Sequence, residues 1–392
     1  MSAQAMAKTR NTPLIAHVIH RLGAGGMENG LVNLVNHLPG DRFRHAIVCL
    51  TSSSEFERRI TAPGVEVIEM HKRPGPGVAM YPKMQRLLRR LKPAVVHTRN
   101  IGTLDMAPVA AVSGVAVRIH GEHGWVASDP AGMNRKYRFL RRLCNPLIHG
   151  YVAVSADIAR WMSTVIGIAD DKIQQIYNGV DTTKFTPRGA TAVLPFDVPR
   201  EELVVLGTVG RIDPIKGQDT LLAAIRCVLQ SRPELRRTLR LIVTGDGPLL
   251  PALREQAARD GVADVVWLTG ARDDIADILR QLDVFILPSL NEGMSNTILE
   301  AMSCGRPVLA TRVGGNGELV VPGVTGELVS AAAPAELAQR IMQYCDDANL
   351  RQRQGRAGRE RVVSEFSLQA MVARYTELYQ QFIDSNNNNE TR

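Results

Sequence analysis

Cysteine is scarce and scattered. The five thiols, Cys49, Cys144, Cys227, Cys304 and Cys345, are odd in number and contain no Cys-x-x-Cys pair. That excludes a disulfide framework and a zinc-ribbon spacing, and reads as free cytosolic thiols. Long apolar runs are missing as well. The best, residues 106–117, stops at Arg118 and falls short of the ~20 residues a membrane-spanning helix needs. Residues 1–12 carry Lys8 and Arg10 but no apolar stretch, so no secretory leader is expected. Aromatic residues are only 5% of the chain, yet 45% hydrophobic and 22% charged is the balance of a globular protein. Disordered and collagen-like classes are excluded, except for a short polar tail, residues 385–392, expected to be disordered.

The 392 residues hold apolar material for two cores rather than one. The net charge of +8 is unevenly placed: residues 1–190 carry 25 Lys and Arg against 13 Asp and Glu, and the remainder is mildly acidic. A basic half joined to an acidic half predicts two domains with different partners. Short β-rich runs recur at 14–20, 45–50, 65–69, 94–98, 115–120 and 150–154, then at 203–209, 239–244, 265–268, 284–287 and 308–310. Helix-like segments separate them, among them 27–38, 81–91, 218–230, 249–260 and 295–302. Strands alternating with helices predict a doubly wound parallel sheet, here twice over. The break is expected at residues 182–200, where Pro187, Gly189, Pro195 and Pro199 interrupt any periodicity.

Ligands of such sheets bind beyond the carboxyl ends of the strands, and the unusual residues cluster in loops that follow strands. Gly23-Ala24-Gly25-Gly26-Met27-Glu28 follows the opening strand and precedes a helix. Its glycines let backbone N–H groups approach a phosphate or sugar, although a tight strand–helix turn explains them equally well. Gly210-Arg211-Ile212-Asp213-Pro214-Ile215-Lys216-Gly217 places two cations five residues apart around a proline turn. An Arg fork and a Lys point charge there suit a diphosphate better than two idle surface cations do.

Glu292-Gly293-Met294-Ser295-Asn296 opens a further helix, with Glu300 within it and seven residues between the two carboxylates. Such a pair suits hydroxyls at two ends of an extended ligand, and the helix N-terminus between them suits a phosphate oxygen. His120-Gly121-Glu122-His123-Gly124-Trp125 is placed in a loop after its strand, with each histidine as readily structural as functional. No third ligand stands at a metal-binding spacing, and no metal is expected.

These motifs, with Ile176-Tyr177-Asn178-Gly179-Val180-Asp181 and Gly245-Asp246-Gly247-Pro248, resemble in order and context the retaining GT-B glycosyltransferases of family 4. The His-Gly-Glu-His-Gly segment looks like the exopolysaccharide-associated sugar transferases among them. The chain has no Asp-x-Asp, the motif by which many metal-dependent sugar transferases hold a nucleotide diphosphate. The resemblance implies two Rossmann-like domains facing across a cleft. Residues 1–185, joined by a C-terminal helix near 368–384, would bind the acceptor, and residues 200–367 the donor.

The resemblance further implies a nucleotide-sugar donor, UDP- or GDP-linked, taken as a substrate, with no other cofactor expected. By the same resemblance Arg211 and Lys216 hold the diphosphate and Glu300 the ribose, while Glu292 bonds the hydroxyls of the transferred sugar. Gly293, Met294, Ser295 and Asn296 surround sugar and phosphate, Gly25 and Gly26 close over the phosphates, and Gly270 and Arg272 border the nucleobase. A histidine that touches the sugar is either His120 or His123, with His123 preferred.

Two other readings compete. A sugar-nucleotide epimerase shares the architecture, and a non-catalytic sugar-binding protein shares the two lobes but leaves the cations and carboxylates unexplained. A nucleic-acid partner is not expected, because the cations form no recognisable binding module. Two cationic segments, Lys83 to Lys92 and Arg135 to Arg142, the second interleaved with Tyr137, Phe139 and Leu140, predict a cytoplasmic protein attached peripherally to an anionic membrane. A glycan or a lipid-linked acceptor fits that location.

Overall fold

The computed structural model describes residues 12–390 other than 24, 76, 126–128, 130, 131, 190 and 191. It divides into two compact units. One runs to Asn178 and resumes at Leu368, and the other is Gly179–Ser367.

The first unit is a seven-stranded parallel sheet: β1 (Leu14–Ile19), β2 (Arg44–Cys49), β3 (Glu66–Glu69), β4 (Val95–Arg99), β5 (Val117–Glu122), β6 (Gly150–Ala153) and β7 (Ile173–Gln175). The order β3-β2-β1-β4-β5-β6-β7 reverses direction between β1 and β4. The crossovers include α1 (Gly26–His37), α2 (Tyr81–Leu91), α3 (Met106–Val112), α4 (Arg135–Cys144) and α5 (Ala156–Trp161). Because helices cover both faces, the central strands are buried along their whole length, and Leu14–Ile19 reads as a nearly continuous apolar run.

The second unit repeats the plan with six strands: β8 (Val204–Val209), β9 (Leu239–Thr244), β10 (Val266–Gly270), β11 (Val284–Leu287), β12 (Val308–Thr311) and β13 (Gly326–Val329), ordered β10-β9-β8-β11-β12-β13. Its helices are α6 (Gln218–Ser231), α7 (Leu250–Arg259), α8 (Ile275–Gln281), α9 (Asn296–Ser303), α10 (Asn316–Leu319), α11 (Pro334–Asp346) and α12 (Ala348–Glu365). The last helix, α13 (Leu368–Glu390), returns to the first unit, where Leu368, Met371, Tyr375, Leu378 and Tyr379 pack on Ile15, Val95, Ile119 and Val152.

Four features depart from the sequence expectations. Strands β7 and β13 escaped notice because Ile-Gln-Gln is a half-buried triplet at the sheet edge and Gly-Glu-Leu-Val is short and starts on glycine. β5 starts and ends two residues later than expected, so His120 and Glu122 lie inside a buried strand rather than a loop. An acid fits there because Arg141 reaches it at 2.6 Å. Residues 385–390 are not a disordered tail: they extend α13, since adding turns to an established helix avoids the cost of nucleation. Finally, the chain leaves the first unit at Asn178, ahead of the linker expected at 182–200, and Arg359 holds the carbonyls of Thr182 and Phe185 at 3.0 and 2.9 Å within the second unit. Among the described residues no helix is long and apolar enough to cross a membrane.

Candidate active site

In the second unit the strand order reverses between β8 and β11, so the loops leaving these neighbours share one crevice. The β8–α6 loop carries Arg211 and Lys216, and the β11–α9 loop carries Glu292. They are stitched together where Leu290 N–H donates to the Ile215 carbonyl at 2.7 Å. Lys216 Nζ then reaches Glu292 Oε1 at 2.6 Å, and the Ser289 hydroxyl donates to the same oxygen at 2.7 Å. Glu292 is only 9% exposed, so this is a shielded ion pair rather than a surface one.

A third loop, from β12, supports it. Thr311 Oγ1 donates to the Ser289 carbonyl, and Gly315 N–H to the Gly293 carbonyl at 3.1 Å. Gly314 lies at φ +47°, where a Cβ would sit 1.7 Å from the Glu292 carbonyl oxygen, so no side chain fits.

The two cations are held by different carboxylates. Arg211, 72% exposed at its side chain, pairs with Asp213 at 2.9 Å, while Lys216 turns to Glu292. Ser295 caps α9 by accepting from Ile298 N–H, which sets Gly293 and Met294 in the entry turn and Asn296 at the first helical position, with Glu300 in the body of the helix. Gly270 ends β10 at φ +73°. Arg272 pairs with Asp274 and lies over the Trp267 ring at 5.5 Å from its centroid.

In the first unit Gly25 is the N-cap of α1 and Gly26 its first residue, with Glu28 in the first turn. Ala24, between Gly23 and Gly25, is outside the described residues. His120 is 1% exposed and is spent on structure: its Nδ1 meets Thr98 Oγ1 at 2.8 Å and its Nε2 meets Glu122 at 3.4 Å. Burial pushes the Glu122 carboxyl up, but hydrogen bonds from His120 and Arg141 and the Arg141 charge outweigh it and hold it at about 2. His123 differs. Neither ring nitrogen has a partner among the described residues, and the ring lines a cavity of about 10 Å³ with Arg99, Asn178 and Tyr375. Burial, then the Arg99 charge, drives its pKa to about 3, so the imidazole is neutral.

Sequence reasoning missed several residues around these. Ser289 and Gly314 carried no isolated signal, though Gly314-Gly315-Asn316 after a strand was a visible turn cue. It also missed a buried polar array on β1, β2 and β4. His17 Nε2 meets His45 Nδ1 at 3.1 Å, Arg99 meets His17 Nδ1 at 3.1 Å, and His97 Nδ1 meets the Tyr379 hydroxyl at 2.8 Å. Only the fold brings these residues together, because they are spread along the chain from β1 to α13.

Two family models match, one to each unit: "Glycosyltransferase Family 4" over residues 24–184 and "Glycosyl transferases group 1" over residues 204–347. Curated relatives include the D-inositol 3-phosphate glycosyltransferase of Streptomyces avermitilis, 37% identical over 195 residues that cover 47% of this chain and 42% of the relative. The enzyme of the same name from Kribbella flavida is 34% identical over 227 residues, 55% of this chain and 54% of the relative. The chain thus spans about half the length of the curated relatives it matches. Among solved structures, Anabaena Alr3699/HepE in complex with UDP and glucose superposes with a TM-score of 0.76 at 21% identity, over 93% of this chain and 99% of that one. A glycosyltransferase from Rickettsia africae gives 0.79 at 21% identity, over 95% and 99%.

Proposed function

We propose that this chain, whose fold is the GT-B fold of the group 1 and family 4 glycosyltransferases, moves a sugar from a nucleotide-diphosphate donor to a glycan or lipid-linked acceptor with retention. The carrying observation is the shielded Lys216–Glu292 pair at the strand-order reversal of the second sheet. It sets a cation for a leaving diphosphate beside a carboxylate for sugar hydroxyls. UDP and glucose in the Anabaena structure support a UDP-linked donor in particular.

In this reading the bond from the anomeric carbon to the diphosphate oxygen breaks, and its electron pair leaves with the nucleotide. Lys216 and Arg211 stabilise that charge, the largest expected term. The acceptor oxygen bonds the anomeric carbon from the same face, and its proton passes to the departing phosphate oxygen. Glu300 holds the ribose, Gly270 and Arg272 border the base, Gly25 and Gly26 close over the phosphates, and His123 bonds the sugar.

The same reading assigns the transfer to exopolysaccharide or cell-envelope glycan synthesis at the inner face of a membrane. The support is α4. Its Phe139 and Leu143 are 66% and 61% exposed beside the exposed cations Arg135, Lys136 and Arg142. By contrast α2 buries Met84, Leu87 and Leu88, and its exposed positions are Pro82 and the cations Lys83, Arg86, Arg89 and Arg90. A helix that offers both apolar and cationic groups suits an anionic lipid surface.

The test is a thermal-protection screen of UDP-, GDP- and ADP-sugars, followed by transfer to lipid-linked acceptors with the product anomer read by NMR. Protection by one donor class and a product of unchanged anomeric configuration are expected. An inverted product overturns retention. An isomerised nucleotide sugar formed from donor alone, without transfer, overturns transfer in favour of epimerisation.

A further inference from the structure

The backbone is strained where β4 ends. Asn100 lies at φ +58°, ψ 167°, a region that residues with side chains seldom enter. From there it makes two bonds to the exit of β5. Its N–H donates to the Gly121 carbonyl at 2.7 Å, and its Oδ1 accepts from the backbone N–H of His123 at 2.7 Å. Thr103 braces the turn: its N–H donates to the Asn100 carbonyl at 3.1 Å, and its hydroxyl accepts from Arg99 N–H at 2.8 Å.

The loop held this way folds the His123 ring back over Gly121. A Cβ at Gly121 would lie 2.8 Å from His123 Nε2 and 3.0 Å from His97 Nε2, so the ring sits where only a glycine leaves room. Both nitrogens of the ring are buried and unpartnered among the described residues. Hydrogen-bonding atoms fixed in place without a partner are what a ligand group takes up.

We propose that Asn100 is a positioning residue: its strained backbone and side-chain amide fix the His123 loop, and with it the imidazole, where the ring meets the transferred sugar. The role of the imidazole rests on the sugar-transfer reading; the clamp itself does not. A turn alone would be made without strain by glycine, but only a side-chain acceptor captures the His123 N–H.

Two variants of the full chain separate turning from positioning. Asn100→Gly keeps the backbone path, relieves its strain and removes the clamp. Asn100→Asp retains an oxygen for the same bond. In Asn100→Gly, hydrogen exchange at the His123 amide should accelerate about tenfold or more while the melting temperature holds or rises. The kcat for sugar transfer should fall about 10- to 100-fold with donor KM changed by less than about twofold. Asn100→Asp should restore exchange protection and most of kcat. Unchanged exchange at His123 in Asn100→Gly overturns the clamp, and unchanged kcat despite faster exchange overturns positioning. If wild-type chain turns over no nucleotide sugar while Asn100→Gly still accelerates His123 exchange, the clamp stands and the sugar-transfer reading falls.

Discussion

Lys216 and Glu292 stand 76 positions apart, yet they act on one another first and on any ligand second. A substitution at either therefore does two things. Lys216→Ala removes the cation that the proposed reaction assigns to the diphosphate and also strands a carboxylate that, among the described residues, keeps the Ser289 hydroxyl. Turnover of the accepted nucleotide sugar should fall about 10²- to 10³-fold, the scale seen when one transition-state donor is removed. The double variant Lys216→Ala/Glu292→Ala should lose much less than the two single losses combined, with a coupling of about 1–3 kcal/mol. Steady-state rates of the four chains close this cycle, and simple additivity would show that the pair has no shared role. Both residues were legible in the sequence as cation and carboxylate in loops. Their pairing was not, because nothing in local spacing says that β8 and β11 are neighbours.

Among the elements, α13 carries the most weight for its position. Its buried Leu368, Met371, Tyr375, Leu378 and Tyr379 each contribute about 1.5–3 kcal/mol. Together they rival the roughly 5–15 kcal/mol that holds an ordinary domain folded. A chain ending at Ser367 should therefore lose the first unit while Gly179–Ser367 stays folded; limited proteolysis with mass mapping would show a surviving core of those residues. A gentler change, Tyr379→Phe, takes the hydroxyl from His97 Nδ1 at 2.8 Å and should cost about 1–3 kcal/mol in chemical denaturation. Helices and central strands were legible because their apolar periodicity is strong. β7 and β13 were not, since edge strands of three and four residues take their form from a neighbour's open hydrogen bonds.

Over the whole molecule, charge is divided as sharply as sequence. All nine histidines lie in the first unit. Burial holds His17 and His97 well below the ordinary histidine range, His45 at about 4 and His123 at about 3. Above pH ~6.5 these groups are neutral in both folded and unfolded chains and exert no pull. Below it the unfolded chain takes up protons that the folded one refuses, so stability falls with falling pH by about 1.4 kcal/mol per pH unit for each group. Glu122 adds the same sign lower down: its contribution is present above the ordinary glutamate range and fades as pH falls toward about 2. Denaturant unfolding between pH 7.5 and 4 should show the first unit weakening steeply, with protons taken up on unfolding, and the second unit nearly flat. Equal pH slopes in both units would contradict the neutral array.

The basic balance of residues 1–190 and the exposed face of α4 lead to a last expectation. The chain should sediment with anionic vesicles at low salt and release as salt rises, at about 1 kcal/mol per engaged cation. Phe139→Ser/Leu143→Ser should weaken that binding about tenfold or more, as lost apolar burial requires. Equal sedimentation with neutral and anionic vesicles would remove the membrane from the proposed function.

The sequence by itself determined the two parallel sheets and the loops that carry cations, carboxylates and glycines, because periodicity and strand–loop–helix punctuation are local properties of the chain. Tertiary structure decided the rest. It set Lys216 against Glu292 and Arg211 against Asp213, and it spent His120 inside a strand while leaving the His123 nitrogens without a partner among the described residues. It also twisted Asn100 to reach across to β5 and left α4 apolar toward water where α2 was not. Each of these depends on which strands are neighbours and which side chains lose water. Contacts between residues tens of positions apart settle both, and no local pattern in the chain encodes them.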